Sequence, residues 1–441
     1  MLIHRVCTDS RRVQAGDLFL ALTGEKYDAH DYLTEVARRA AAVVVIEEAK
    51  ADRATSLAGL LGVVTVPDTK VALGRLAAWY RDRFTLPVLA IAGSNGKTTT
   101  KELLASILRQ RGPALWSEAS FNNDIGVPLT LLQLDRSHQA AVLEVGTNHP
   151  GELSALLRMV QPRYGLLTNV GREHLEFFGD LEAVAREEGS LAEFLPAAGK
   201  LFINGDSQWT PTIVRRASAA VVTVGLEAGN DWVGQEIRVG EDGVRFAVKA
   251  PLRKFAGEYR LRLLGRHQVP NALLALAAGA ELGVSPSQAR TGLAECVPPK
   301  MRLQLWETHG VRVLDDAYNA NADSMVAALE TLRDLPCRGR RVAVLGDMAE
   351  LGVHTAEAHR EIGRRSAELG VQRLVAVGQF ARETAEAARA EGLQEVSEFP
   401  DVTSAAQAVG ALVQPGDVVL LKASRATGIE AVGEALRKRV T

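Results

Sequence analysis

The sequence predicts an α/β protein of three domains: a small α/β unit, a central parallel-sheet domain with a phosphate loop and a hairpin addition, and a C-terminal Rossmann-like domain. Three observations predict it. The chain has 441 residues, enough for about three domains at ~150 residues each. Short apolar strands alternate with amphipathic helical stretches along nearly the whole length, the pattern of parallel sheets covered on both faces. One strand runs through a glycine-rich turn straight into a helix, as phosphate-binding loops do.

The elements follow in order. In the first unit, residues 1–84, apolar strands at 16–22, 42–46 and 62–66 alternate with helical stretches at 31–41 and 71–83. From 85 to 299 the alternation becomes regular. Strand 87–92 leads to a helix from Lys97 with Leu103, Leu104, Ile107 and Leu108 on one face; strand 140–145, helix 153–160 and strand 165–170 follow. Segments 233–239 and 244–248 around Glu241-Asp242-Gly243 read as a hairpin, and 271–282 as a helix apolar almost all round, hence buried. After Pro298-Pro299, strands at 311–315, 341–345, 374–377 and 418–421 each precede a helical stretch, giving a second doubly wound domain over 300–441.

Composition narrows the function. Hydrophobic residues are 47% and charged residues 24%, with 39 Gly and 16 Pro, values of an ordinary globular chain that exclude disorder, collagen and coiled-coil rods. Lys plus Arg at 51 against Asp plus Glu at 53 gives a net charge of -2, so no global positive field exists for nucleic acid or anionic lipid. Neither nucleic acid nor membrane is expected as a partner. The three cysteines, Cys7, Cys296 and Cys337, lie far apart with no metal-ligand spacing. The N-terminus lacks the roughly 7–15-residue apolar stretch of a signal peptide, and no run nears the ~20 apolar residues of a membrane span. A cytoplasmic protein is expected.

The strongest chemical signal is Gly93-Ser94-Asn95-Gly96-Lys97-Thr98-Thr99. Glycines let backbone N–H groups turn inward, the helix N-terminus adds positive potential, Lys97 supplies a charge for the β/γ-phosphates, and the Thr98 hydroxyl can ligate Mg²⁺. The longer loop pattern would want glycine where Ile91 stands. The bland reading is a Gly/Ser-rich turn with a chance lysine, which the flanking strand and helix argue against. Glu144 ends the strand 140–145, and ligands of open parallel sheets bind beyond the carboxyl ends of strands, so Glu144 is a candidate metal carboxylate rather than a solvated strand end. His174 lies just past the following strand, where a second ion or a phosphate would sit; alone, a loop histidine is an ordinary surface residue.

The order of motifs then becomes specific. GSNGKTTTKELL (93–104), FNNDIGVPLTLL (121–132), LEVGTNHPGEL (143–153), TNVGREHLEFFG (168–179), GRHQVPNALLALA (265–277), DDAYNANADSM (315–325), VLGDMAELG (344–352) and KASR (422–425) closely resemble the Mur ligase family of peptidoglycan synthesis, over nearly the whole chain. Segment 8–32, TDSRRVQAGDLFLALTGEKYDAHDY, is similar to the family's UDP-binding first domain, which places Ser10 and Arg11 as candidate UDP-sugar contacts. The stretches 315–325 and 344–352 look like the branch that adds D-alanyl-D-alanine to UDP-N-acetylmuramoyl-tripeptide, and no Asp-Asn-Pro-Arg motif of diaminopimelate-adding members is present. The alternative is a member that adds a diamino acid to the UDP-MurNAc-dipeptide.

The resemblance implies roles. Lys97 and Thr98 would hold the ATP phosphates and one Mg²⁺, with Glu144 as a further ligand. Asn122 would lie near the γ-phosphate, His174 would help position a second Mg²⁺, Asn271 would contact adenine, Arg302 the γ-phosphate and Asp316 the ribose. Bland alternatives exist: Asn271 or Asp316 as helix caps, Arg302 as a surface charge. The family chemistry activates a carboxylate as an acyl phosphate, which an amine then attacks, and it needs no covalent enzyme nucleophile. A monomer is expected. One position departs from the family. Mur ligases usually carry a lysine in the helix after the His motif, whose carbamylated amine faces the second Mg²⁺. Alignment on HLEFFGDLEAVAREEG puts Glu188 there, with Glu187 the fallback, and no lysine occurs between Lys101 and Lys200. Glu188 is expected to supply a permanent carboxylate in its place; being shorter, it would need a water bridge or a closer backbone.

Overall fold

The computed structural model describes residues 3–24, 26–57 and 59–438. Three sheets are present. The first has four parallel strands in sequential order: β1 Val6–Cys7, β2 Leu18–Leu20, β3 Val43–Glu47 and β4 Gly62–Val66. The expected strand at 16–22 is thus shorter, and β1 precedes it. The helix expected at 31–41 is also shorter. Asp28 accepts the N–H of His30 to start a 3₁₀ turn Ala29–Tyr32, an α-helix covers Leu33–Arg38, and Ala40 at φ 59° ends it.

The central sheet has nine strands: β5 Val88–Ala92, β6 Ala114–Trp116, β7 Ala140–Glu144, β8 Tyr164–Leu167, β9 Lys200–Asn204, β10 Ala220–Gly225, β11 Trp232–Gly240, β12 Gly243–Lys249 and β13 Gly257–Leu261. Their order is β13-β12-β11-β10-β9-β8-β5-β7-β6. Strand β5 is buried on both faces, sending Leu89 and Ile91 into one core and Val88, Ala90 and Ala92 into the other, as a parallel strand under two helix layers must. The hairpin β11–β12 is present, but it is no separate appendage: β11 pairs in parallel with β10, and β13 adds a third strand antiparallel to β12. Tyr259, Leu261 and Leu263 alternate inward there, a period-two signal that the sequence carries. The helix Gln268–Glu281 is buried over most of its surface.

The C-terminal sheet has six strands in the order β14-β15-β19-β16-β17-β18, with β14 Gln304–Thr308, β15 Val311–Asp315, β16 Arg341–Gly346, β17 Arg373–Val377, β18 Glu395–Phe399 and β19 Val418–Lys422. Among the described residues only β14 runs antiparallel in this sheet. The units touch through different surfaces. The helix Thr69–Arg81 sets Leu73 near Ile125, Leu129 and Leu132 of the central unit. On the other side Leu175, Phe178 and Leu264 join the core of the C-terminal unit beside Met348 and Leu351, next to a row of polar contacts around the main cleft.

Candidate active site

The loop 93–99 joins β5 to the helix Lys97–Arg109. Gly93 (φ 114°) and Gly96 (φ 85°) adopt backbone angles that side chains disfavour. A Cβ on Gly93 would lie 2.3 Å from Thr168 Oγ1, and one on Gly96 2.5 Å from Asn271 Oδ1. Ile91 is fully buried in the core, which accounts for an apolar residue where a longer loop would place glycine. Gly96 caps the helix with no side-chain hydrogen bond, so its first N–H groups remain for an anion. Lys97 Nζ donates to the carbonyls of Gly93 at 2.5 Å and Ser94 at 3.3 Å and lies 3.6 Å from Glu173. Burial opposes the charge on Lys97, but Glu173, Glu188 and Glu144 outweigh it and raise its pKa.

Those glutamates define the electrostatics. Glu144 is 1% exposed at the end of β7; Asn122 Nδ2 donates to its Oε1 at 3.0 Å, and Lys101 Nζ stands 3.9 Å from its Oε2. Glu188 is equally buried, and its Oε2 accepts the N–H of Gly93 at 2.6 Å. Burial, partly offset by Lys97 and reinforced by Glu173, pushes the Glu188 carboxyl up to about 8. Glu144 Oε2, Glu173 Oε1 and Glu188 Oε1 have no hydrogen-bond partner among the described residues. Buried unpaired carboxylate oxygens are costly, and hard oxygen donors suit Mg²⁺. Among the described residues no three His, Cys, Asp or Glu side chains form a metal cage.

The C-terminal unit completes the cleft of about 1210 Å³. Arg302 Nη2 donates to Thr98 Oγ1 at 3.1 Å and to Ser120 Oγ at 3.4 Å, while its guanidinium lies 4.2 Å from the Tyr318 ring centroid. Met301 (φ 56°) and Leu303 (φ 51°) flank it in left-handed conformations, strain of the kind that surrounding bonds must hold; Asp316 Oδ1 accepts the N–H of Leu303 at 3.1 Å. Asp316 also takes Lys422 Nζ at 2.5 Å. His174, at φ 50°, meets Glu350 Oε2 through Nδ1 at 2.5 Å, and that contact lowers the Glu350 pKa.

The bland readings fail one by one. Asn271 is inside its helix and bonded to Gln268 at 3.0 Å; Asn321, not Asp316, caps the helix Ala322–Asp334; Arg302 reaches the phosphate loop. Ser94, Asn95, Gly96, Lys97, Thr98, Thr99, Asn122, Glu144, His174, Asn271, Arg302 and Asp316 all line one cleft. Glu188 and Gly93 do not. They form the back of the loop, which corrects the expectation for Glu188 from a direct ligand to a carboxyl beside Lys97. Glu187 points elsewhere, accepting from Thr147, Gly151 and Leu153. Ser10 and Arg11 lie outside the cleft, with Arg11 exposed and bound to Asp9. Sequence reasoning missed Lys101, Glu173, Glu350 and Lys422. Lys101 is one helical turn from Lys97, a spacing that could have flagged it.

A phosphate loop closed over by a second α/β unit, with cations on both walls, defines a nucleotide-dependent enzyme. The Mur ligase catalytic domain matches residues 2–81, the Mur ligase middle domain 91–279 and the Mur ligase glutamate ligase domain 301–425. The UDP-N-acetylmuramoyl-tripeptide–D-alanyl-D-alanine ligase of Escherichia coli K12 is 36% identical over 450 residues, covering 100% of this chain and 95% of that one. A crystal structure of MurF from Acinetobacter baumannii aligns with a TM-score of 0.89 at 34% identity, covering 99% and 94% of the two chains. MurF ligase from Thermotoga maritima in complex with ADP aligns at 0.84 and 27%, covering 99% and 97%. The chain belongs to the Mur ligase family.

Proposed function

We propose that this chain is the ATP-dependent, ADP-forming ligase that joins D-alanyl-D-alanine to UDP-N-acetylmuramoyl-tripeptide in peptidoglycan precursor synthesis. The observation that carries the reading is the single cleft that brings Lys97 and Thr98 of one unit against Arg302 of another. The names borne by the full-length relatives supply the substrates. Amide formation from a carboxylate and an amine needs an activated carboxyl. The γ-phosphoryl of ATP passes to the terminal carboxylate of the tripeptide, releasing ADP; the dipeptide amine attacks the acyl carbon, and phosphate departs with the C–O bond while the amine proton is lost to solvent.

In this reading the first step brings two anions together, and the chain's residues offset that repulsion. The helix N-terminus at Gly96 and the ammonium of Lys97 hold the phosphates; Arg302 exchanges its bond to Thr98 for the transferring group. Asn271 and Asp316 hold the nucleoside. Mg²⁺, held by Thr98 and Glu144 with His174 near a second position, would neutralise phosphate charge. Glu188 offers from behind the loop a carboxyl where other family members carry a carbamylated lysine; burial holds its pKa up, so its charged form depends on cations beside it, Lys97 and the Mg²⁺ that would bind in the cleft. The units 1–84, 85–299 and 300–441 divide the labour: UDP-sugar on the first, near Ser10 and Arg11, ATP between the second and third, dipeptide beside the third. Among the described residues no helix is long and apolar enough to cross a membrane. In this reading the enzyme is a cytoplasmic monomer without nucleic-acid partners.

ADP release measured with UDP-MurNAc-tripeptide and a panel of second substrates tests the reading. Turnover is expected with D-Ala-D-Ala alone. Turnover with free diaminopimelate or lysine on UDP-MurNAc-dipeptide, and none with D-Ala-D-Ala, would overturn it in favour of the diamino-acid-adding branch.

A further inference from the structure

One charge network at the mouth of the cleft belongs to none of the roles above. Arg172 lies in the turn after β8, two residues before His174. Its Nε donates to Asp323 Oδ1 at 2.8 Å, its Nη1 and Nη2 to the two oxygens of Glu361 at 2.5 and 3.1 Å, and its main-chain N–H to Asp323 Oδ2 at 2.7 Å. Asp323 stands in the first turn of the helix Ala322–Asp334 and Glu361 in the helix Thr355–Glu368. One guanidinium of the central unit therefore ties down two helices of the C-terminal unit in a fork geometry that lysine cannot reproduce.

The surroundings connect this knot to the phosphate loop. Gly171 N–H donates to Ser94 Oγ at 2.8 Å, and the Ser94 N–H donates to the Asn169 carbonyl at 3.0 Å. Asn321, which caps the helix carrying Asp323, donates to Asn95 Oδ1 at 3.0 Å. A Cβ on Gly171 would lie 2.7 Å from Asp323 Oδ2, so a side chain there would crowd the Asp323 carboxylate. The loop 93–99, the turn 169–172 and the helix Ala322–Asp334 thus form one bonded body.

We propose that Arg172 is a positioning residue: its forked contacts with Asp323 and Glu361 seat the C-terminal unit on the phosphate loop and so fix where Arg302 stands. Arg302 belongs to the C-terminal unit, between two left-handed residues and over the Tyr318 ring, so the docking of that unit sets its distance from the ATP phosphates. The apolar strip of Leu175 and Phe178 gives adhesion but little directional register, because hydrophobic contact is non-directional. The Arg172 fork supplies direction. Its three side chains are 29%, 37% and 31% exposed, so salt reaches and weakens it. Its effect on turnover rests on the ligase reading; its effect on shape does not.

Small-angle scattering and limited proteolysis of the ligand-free full chain give the test, comparing wild type, Arg172→Ala and Arg172→Lys at low and high salt. Arg172→Ala is expected to enlarge the radius of gyration and expose the linker 297–303 to protease, Arg172→Lys to do so partially, and high salt to move wild type toward the alanine variant. In turnover, kcat/KM for ATP should fall about tenfold, with KM for the UDP-sugar unchanged. Identical scattering and proteolysis for wild type and Arg172→Ala would overturn the proposal, as would an equal rise of KM for every substrate. Should Arg172→Ala lose its circular dichroism signal, Glu361→Gln must show the same opening; a closed Glu361→Gln would equally overturn it. A failed substrate panel with intact scattering differences would condemn the ligase reading alone.

Discussion

Glu187 and Glu188 follow one another at the end of the helix Leu181–Glu188, yet one side chain turns to the start of the helix Glu152–Val160 and the other to the phosphate loop. Glu187 has both oxygens engaged: Oε1 accepts Thr147 Oγ1 at 3.2 Å and Leu153 N–H at 3.0 Å, and Oε2 accepts Gly151 N–H at 2.9 Å. That helix begins at Gly151, which has no side chain to cap it, so Glu187 supplies from another helix the anion its N-terminus favours. Glu188 gives one oxygen to Gly93 N–H and has no hydrogen-bond partner for the other among the described residues. A fully satisfied carboxylate is a structural device; a half-satisfied one beside Lys97, its pKa held up by burial, becomes charged when further cations join it. The contrast also settles which of the two neighbours stands at the loop.

Glu188→Gln should have the largest effect, since it keeps the shape and removes the charge. A fall in kcat of ~10²–10³ is expected, with the folded signal retained, because the glutamine carbonyl still accepts the Gly93 N–H. Activity within a few-fold of wild type would erase the contrast with Glu187. Lys101→Met comes next. It leaves Glu144 without its nearest cation, and a broken buried pair costs about 3 kcal/mol, read as a lower urea midpoint at unchanged m-value. Glu187→Ala should cost about 1–2 kcal/mol through the lost cap, with kcat changed far less than by Glu188→Gln.

The smallest effect extends the comparison to a histidine with both nitrogens committed. His359, 2% exposed, accepts Met348 N–H at Nε2 and donates to the Thr355 carbonyl from Nδ1. Burial lowers its pKa below the ordinary 6.5, against the opposing pull of the Thr355 carbonyl. Below about pH 6.5 the unfolded chain therefore binds a proton that the folded chain refuses. Stability is full above that pH and declines as pH falls, by at most about 1.4 kcal/mol per pH unit. His359→Gln, which can make both bonds, should flatten that slope in urea titrations between about pH 7 and 5.5.

Local chemistry made much of this legible. The loop Gly93–Thr99 could be read because strand, glycines, lysine and helix are contiguous, and Glu144 because β7 ends on it. The motif resemblance then supplied Asn122, Asn271, Arg302 and Asp316, all of which line the cleft. What the sequence hid is pairing across distance. Arg172 and Glu361 are 189 residues apart, and nothing local in Glu361 distinguishes it from any other helical glutamate. Glu350 reads as a surface residue until His174 is seen beside it. Strand β13 carries its alternation in the sequence, but a short edge strand yields few periods and does not stand out from a loop. Glu188 was found by alignment, but its place behind the loop depends on side-chain length, since glutamate reaches Gly93 and stops short of the cleft.

The central claim is that the carboxyl group behind the phosphate loop is supplied by Glu188 and needs no CO₂. The direct measurement is the rate of ADP release by the wild-type chain in buffer depleted of CO₂ and again with added bicarbonate. Equal rates are the result predicted. A rate that falls on depletion and returns with bicarbonate would show that a carbamylated amine is still required, and would contradict the account.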